Sequence, residues 1–78
     1  MMKQQALMQE LATILEVDPK QLSPDAPLSG FEAWDSMAQI SLISFIDSHF
    51  TKQLALDTLE SFSTPQDIID FLGDEVTH

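Results

Sequence analysis

Cysteine is absent from the 78 residues, so neither a disulfide framework nor a cysteine-based metal site can supplement the core. Basic residues are scarce: three lysines and no arginine face 13 acidic residues, giving a net charge of −10. Such a charge repels nucleic acid and anionic membranes and favours partners with basic surfaces. We therefore expect no nucleic-acid or membrane partner, and a monomer.

Long apolar segments are also missing. The most apolar stretch, residues 40–46, contains two serines and is far shorter than the roughly 18 residues that span a bilayer. The first residues lack the apolar region of a signal peptide. We expect a soluble cytoplasmic protein.

Catalytic groups are sparse as well. The two histidines, His49 and His78, stand beside no recognisable nucleophile. The sequence has no glycine-rich phosphate loop, and its acids lack the spacing of a calcium loop. We expect no enzyme active site and no bound metal.

Apolar residues recur at helical spacing in four segments. These are residues 3–16, 36–50 and 55–62, and a last segment that begins at Thr64-Pro65 and stops at Gly73. No segment has the alternation of a strand. The pattern predicts one all-α domain over residues 1–78, a small four-helix bundle of three main helices and one short helix.

A long loop, residues 19–34, separates the first two predicted helices. It contains three prolines and one glycine, residues that interrupt regular structure. Ordered loops of this length are usually functional or held by their own side chains. Leu22, Leu28, Phe31 and Trp34 are the candidate anchors.

The second predicted helix has two apolar sides. Leu42, Ile43, Ile46 and Phe50 cluster on the side expected to face the core. Met37, Ile40 and Ser44 share another side, which begins one residue after Ser36. Met37 and Ile40, the two apolar residues on that side, are not needed to build the core.

Ser36, at the start of this helix, has two interpretations. In the first, Ser36 and Gln39, three residues later, match a capping box. Loss of this cap in Ser36→Ala would then lower the stability of the fold by about 0.5–2 kcal/mol. Alternatively, its hydroxyl is the attachment point of a phosphodiester, because a helix N-terminus stabilises anions. The tripeptide Asp35-Ser36-Met37 alone does not decide between these two interpretations.

The order of elements around Asp35-Ser36-Met37 resembles the acyl carrier protein family over essentially the whole chain. The family signature is Asp-Ser-Leu at the start of the second helix, and this sequence differs from it by one conservative change. The resemblance implies that Ser36 carries 4'-phosphopantetheine from coenzyme A. It also implies that Asp35 helps a phosphopantetheinyl transferase to recognise the site.

Further roles follow from the same resemblance. The residues expected to dock partners are Trp34, Met37, Ile40, Ser44 and Asp47, and those expected to form the core and acyl pocket are Leu42, Ile46, Phe50, Leu54, Phe62, Ile68 and Leu72. The implied partners are the transferase and acyl-loading, acyl-transfer or condensing enzymes. The implied cargo is an acyl, polyketide or aminoacyl thioester.

Three departures from the family pattern indicate a specialised carrier, of a secondary-metabolite or cell-surface pathway, rather than one of housekeeping fatty acid synthesis. The second helix has few acids, Trp34 directly precedes Asp35, and Ala33 replaces a glycine. The alternative function is a small acidic adaptor that binds a protein partner through Phe31, Met37 and Ile40 without covalent modification.

Overall fold

The computed structural model describes residues 2–77, so the predicted role of His78 as a chain end lies outside the described residues. The elements are, in order, β1 (Met2–Lys3), α1 (Gln4–Ile14), α2 (Ser36–His49), α3 (Leu56–Glu60), α4 (Pro65–Leu72) and β2 (Val76–Thr77). The predicted helical bundle is confirmed, and the predicted start of α2 at Ser36 is correct.

Helix α1 buries Leu7 and Leu11 and ends in a left-handed turn. Glu16, one residue after the C-cap, has φ 58°. Its N–H donates to the carbonyl of Thr13 at 3.2 Å, and the Val17 N–H donates to that of Ala12 at 2.9 Å. These two bonds form a Schellman motif, so the helix ends just before the predicted limit at Glu16.

The loop between α1 and α2 is ordered by two 3-10 turns, Pro19–Gln21 and Leu28–Gly30. Leu22 and Leu28 are buried, and Phe31 and Trp34 pack half-buried against the core, which confirms the four predicted anchors. The Leu28 N–H also donates to the Ser63 carbonyl at 2.9 Å. The loop is therefore fixed on the segment that precedes α4.

The core lies between the four helices. Its largest fully buried side chains are Leu7, Leu11, Leu15, Leu28, Leu42, Ile46, Leu59, Ile68 and Leu72, together with Pro65. Helix α4 begins at Pro65, after Thr64 at the N-cap, and ends at Gly73, whose φ of 57° suits glycine. Both predicted limits of this helix are confirmed.

The expectation of a chain without strands is wrong at its two ends. Strand β1 pairs with β2 in parallel, with Met2 opposite Val76 and Lys3 opposite Thr77. Strands of two residues are too short to show the alternation by which a sequence reveals a strand. The pairing joins the segment before α1 to the segment after α4.

Within residues 2–77, no helix has the length and apolar character needed to cross a membrane.

Candidate functional site

Asp35, and not Ser36, caps the N-terminus of α2. The Asp35 backbone is extended, and its Oδ1 accepts a hydrogen bond from the Ala38 N–H at 3.0 Å. Ser36 is instead the first helical residue. The capping-box interpretation of Ser36 and Gln39 is therefore wrong, because Asp35 already occupies the position that accepts from the first turn.

This places the Ser36 side chain in the open. The residue is exposed, and its hydroxyl has no hydrogen-bond partner among residues 2–77. The first turn of a helix leaves several backbone N–H groups unpaired, and Asp35 takes only one of them. An accessible hydroxyl at the positive end of a 14-residue helix is a suitable anchor for a phosphate ester.

The chain approaches α2 through a tight turn. The Trp34 N–H donates to the Phe31 carbonyl at 3.1 Å, and the Asp35 N–H donates to the Ala33 carbonyl at 2.9 Å. Trp34 packs half-buried against the core. It therefore fixes the position of Asp35, while its expected contact with partners stays a prediction.

The exposed side of α2 has the predicted apolar residues. Met37 is 74% exposed and Ile40 is 61% exposed. Ser44 and Asp47 are exposed on the same helix, and Asp47 is the one acid between Ser36 and His49. Within α2 itself, the exposed residues after Ser36 thus include two large apolar side chains and one acid.

The residues expected to form the core and acyl pocket are brought together, with one exception. Leu42, Ile46, Phe50, Leu54, Ile68 and Leu72 are buried. Phe62 is half-buried at the edge of the core, where its ring meets that of Phe71 edge to face at a centroid distance of 5.7 Å. Their role as an acyl pocket stays a prediction.

Two open grooves beside Asp35 were not predicted. One, of about 540 Å³, has Leu15, Val17 and Phe31 among its lining residues. The other, of about 400 Å³, lies between α1 and α2 and includes Ile14, Met37 and Ser41. The lining of these two grooves includes none of the residues assigned to the acyl pocket. No sequence pattern indicates them, because each combines residues distant in the chain.

Comparison with known proteins identifies the family of this chain. Residues 5–72 match the family model described as "Phosphopantetheine attachment site". The chain is also 29% identical over 66 residues to an acyl carrier protein of Thermosynechococcus vestitus, an alignment that covers 85% of this chain and 82% of the relative. No solved structure matches the chain significantly. The chain belongs to the phosphopantetheine attachment site family and is a carrier protein of the acyl carrier type, whose cofactor is covalently attached 4'-phosphopantetheine.

Proposed function

We propose that Ser36 is the attachment residue and that this protein carries acyl, polyketide or aminoacyl intermediates on the arm bound there. The observation that carries the proposal is the exposed, unpartnered Ser36 hydroxyl at the first position of α2, directly after the capping Asp35. The thiol at the end of the arm would hold the cargo as a thioester. Family membership favours this carrier role over the adaptor that requires no modification.

Loading would require a separate phosphopantetheinyl transferase. The Ser36 oxygen forms a bond to the phosphorus of the pantetheine phosphate, and the bond from that phosphorus to the rest of coenzyme A breaks. Adenosine 3',5'-bisphosphate leaves. The hydroxyl proton passes to a base of the transferase, so this chain has only to present Ser36.

The residues around Ser36 have distinct tasks in this proposal. Asp35 holds the first turn of α2 through the Ala38 N–H, so the serine stays at a fixed place on the surface. Its second carboxylate oxygen stays available to the transferase. Met37 and Ile40 then supply apolar area for acyl-loading, acyl-transfer or condensing enzymes.

We further propose that the pathway is a specialised one, such as secondary-metabolite or cell-surface synthesis. In support, Asp47 is the one acid within α2, whereas residues 53–77 hold six acids and no lysine. A partner that reads a row of acids on α2 would find little to bind. Partners with an apolar contact surface suit Met37 and Ile40 better.

Intact-mass measurement after incubation with coenzyme A and a broad-specificity transferase tests the attachment. We expect one added phosphopantetheine on the wild type and none on Ser36→Ala. Ser48→Ala is the matched control, since Ser48 is exposed on the same helix, is not among the expected docking residues and should leave loading unchanged. A Ser36→Ala protein that still gains the arm would refute the assignment.

A further inference from the structure

We propose that the two grooves beside Asp35 form one docking trough for the transferase that modifies Ser36, with Glu16 as its charge-recognition residue. The inference rests on the proposed attachment at Ser36. Both grooves are lined by Glu16, Ala33 and Asp35, so they meet along these three residues. We call the combined depression the Glu16 trough.

The Glu16 trough has apolar residues in its lining beside its acids. Leu15, Val17 and Phe31 contribute on one side, and Ile14 and Ala38 on the other. At its α2 end the trough reaches Met37, which is 74% exposed. The depression is therefore continuous with the exposed apolar surface beside Ser36, and an apolar side chain of a partner would find matching contacts there.

The charged groups of the trough are all acidic. Glu16, Glu32 and Asp35 line it, and none of its lining residues is a lysine or histidine. The carboxylates of Glu16 and Glu32 form no ion pair or hydrogen bond within residues 2–77. Charge complementarity therefore selects a partner segment that brings a lysine or arginine next to an apolar side chain.

The transferase fits this position better than the enzymes that handle the cargo. It must bring its own catalytic groups to the Ser36 oxygen, so its surface covers the residues adjoining Asp35. An acyl-handling enzyme meets the far end of the arm and can dock further along α2. The trough adjoins Asp35 on the side of α1, away from Ile40 and Ser44, which are absent from the lining of both grooves.

Glu16→Gln and Glu60→Gln provide a matched test, since each removes one exposed carboxylate and Glu60 lies on α3, outside both grooves. Loading is followed by intact mass with coenzyme A and a transferase that modifies the wild type. We expect Glu16→Gln to lower kcat/KM about two- to fivefold at low salt, the range of one exposed charge pair. The difference should shrink as salt is added.

A second pair of variants tests the shape of the trough. Ser41→Phe places a ring in the groove between α1 and α2, and Ser48→Phe places one on the same helix outside it. We expect slower loading only for Ser41→Phe, with the melting temperatures of both variants similar. Equal loading within each pair would overturn the trough as a docking site.

Ser36→Ala in the same assay separates the two proposals. Loading of Ser36→Ala would refute the attachment residue. If Ser36→Ala stays unloaded and loading is equal within each of the two pairs of variants, only the trough is refuted.

Discussion

Glu75 holds Thr51 by two hydrogen bonds across 24 residues of sequence. The Glu75 Oε1 accepts from the Thr51 N–H at 2.8 Å and from its hydroxyl at 2.9 Å. Oε2 is inaccessible and has no hydrogen-bond partner within residues 2–77. The contact joins the segment after α4 to the residue that follows α2 and Phe50, so it braces the far end of the helix that presents Ser36.

This contact makes stability depend on pH. The hydrogen bond from the Thr51 N–H is the largest cause that lowers the pKa of Glu75 below its ordinary value of 4.5; the Thr51 hydroxyl and the Lys52 charge also lower it, and desolvation opposes them. The pKa of Glu75 is lower in the folded than in the unfolded protein. Its carboxylate therefore stabilises the fold fully when the pH is above the ordinary pKa, and this stabilisation is lost as the pH falls through the folded pKa. Thermal unfolding from pH 7 to pH 3 should show this loss.

Glu75→Gln should reduce the acid-induced loss, because an amide does not titrate. Glu60→Gln is the matched control, since Glu60 is exposed and accepts no hydrogen bond among residues 2–77. If both variants lose stability with pH as steeply as the wild type, Glu75 is not the group responsible.

Asp35→Ala should destabilise the fold, whereas Ser36→Ala should not. Removing the cap that accepts from the Ala38 N–H lowers the free energy of unfolding by about 0.5–2 kcal/mol. Substituting an exposed residue that makes no such contact changes it by no more than about 0.5 kcal/mol. Urea unfolding of both variants measures the difference.

Asp35→Asn separates stability from recognition. Asparagine caps helices about as well as aspartate, so this variant should unfold like the wild type. Slower loading in a stable Asp35→Asn protein would indicate that the transferase reads the charge. A larger loss of stability in Ser36→Ala than in Asp35→Ala would contradict the assignment of the cap.

A charged residue in place of Met37 or Ile40 should impair partner turnover more than Asp47→Ala does. Their exposed apolar surfaces would lose contact area and carry a charge into the interface. The rate of cargo transfer from the loaded carrier, measured with one acyl-handling enzyme, is the readout. Ser48→Glu, also exposed on α2, controls for the added charge. A larger effect of Asp47→Ala would show that charge guides docking.

Glu16→Gly should stabilise the protein. A residue with a Cβ is strained by roughly 1–2 kcal/mol in the left-handed region, and glycine removes this strain. Glycine also gives the unfolded chain more conformational freedom, which lowers the stability of the fold by about 0.4–1 kcal/mol. We expect a net gain of about 0.5 kcal/mol, seen as a rise in melting temperature. Glu16→Ala keeps the Cβ at φ 58° and should give no gain; an equal rise in both variants would contradict the explanation.

The sequence predicted the helices and the position of Ser36 because their signals are local. Helical spacing marks α1, α2 and α4, and Thr64, Pro65 and Gly73 mark the ends of α4. The identity of the α2 cap is less determined, since Asp35 and Ser36 are both good caps and the turn from Phe31 to Asp35 decides between them. Because the cap is Asp35 and not Ser36, the Ser36 hydroxyl is left without a hydrogen-bond partner among residues 2–77.

Other features depend on contacts that a linear pattern does not contain. Helix α3 is shorter than predicted, because bonds from the Ser61 and Phe62 N–H groups to Thr58 and Leu59 tighten its last turn. This leaves Phe62 at the edge of the core. The Glu16 trough needs the end of α1, the loop and α2 to be assembled before it exists.

The parallel pairing of β1 with β2 also determines how the fold bears mechanical load. A force that pulls residues 2 and 77 apart acts along the two strands in opposite directions, because Met2 is the first residue of β1 and Thr77 is the last residue of β2. The strands are then sheared lengthwise, and their hydrogen bonds must break together instead of opening one after another.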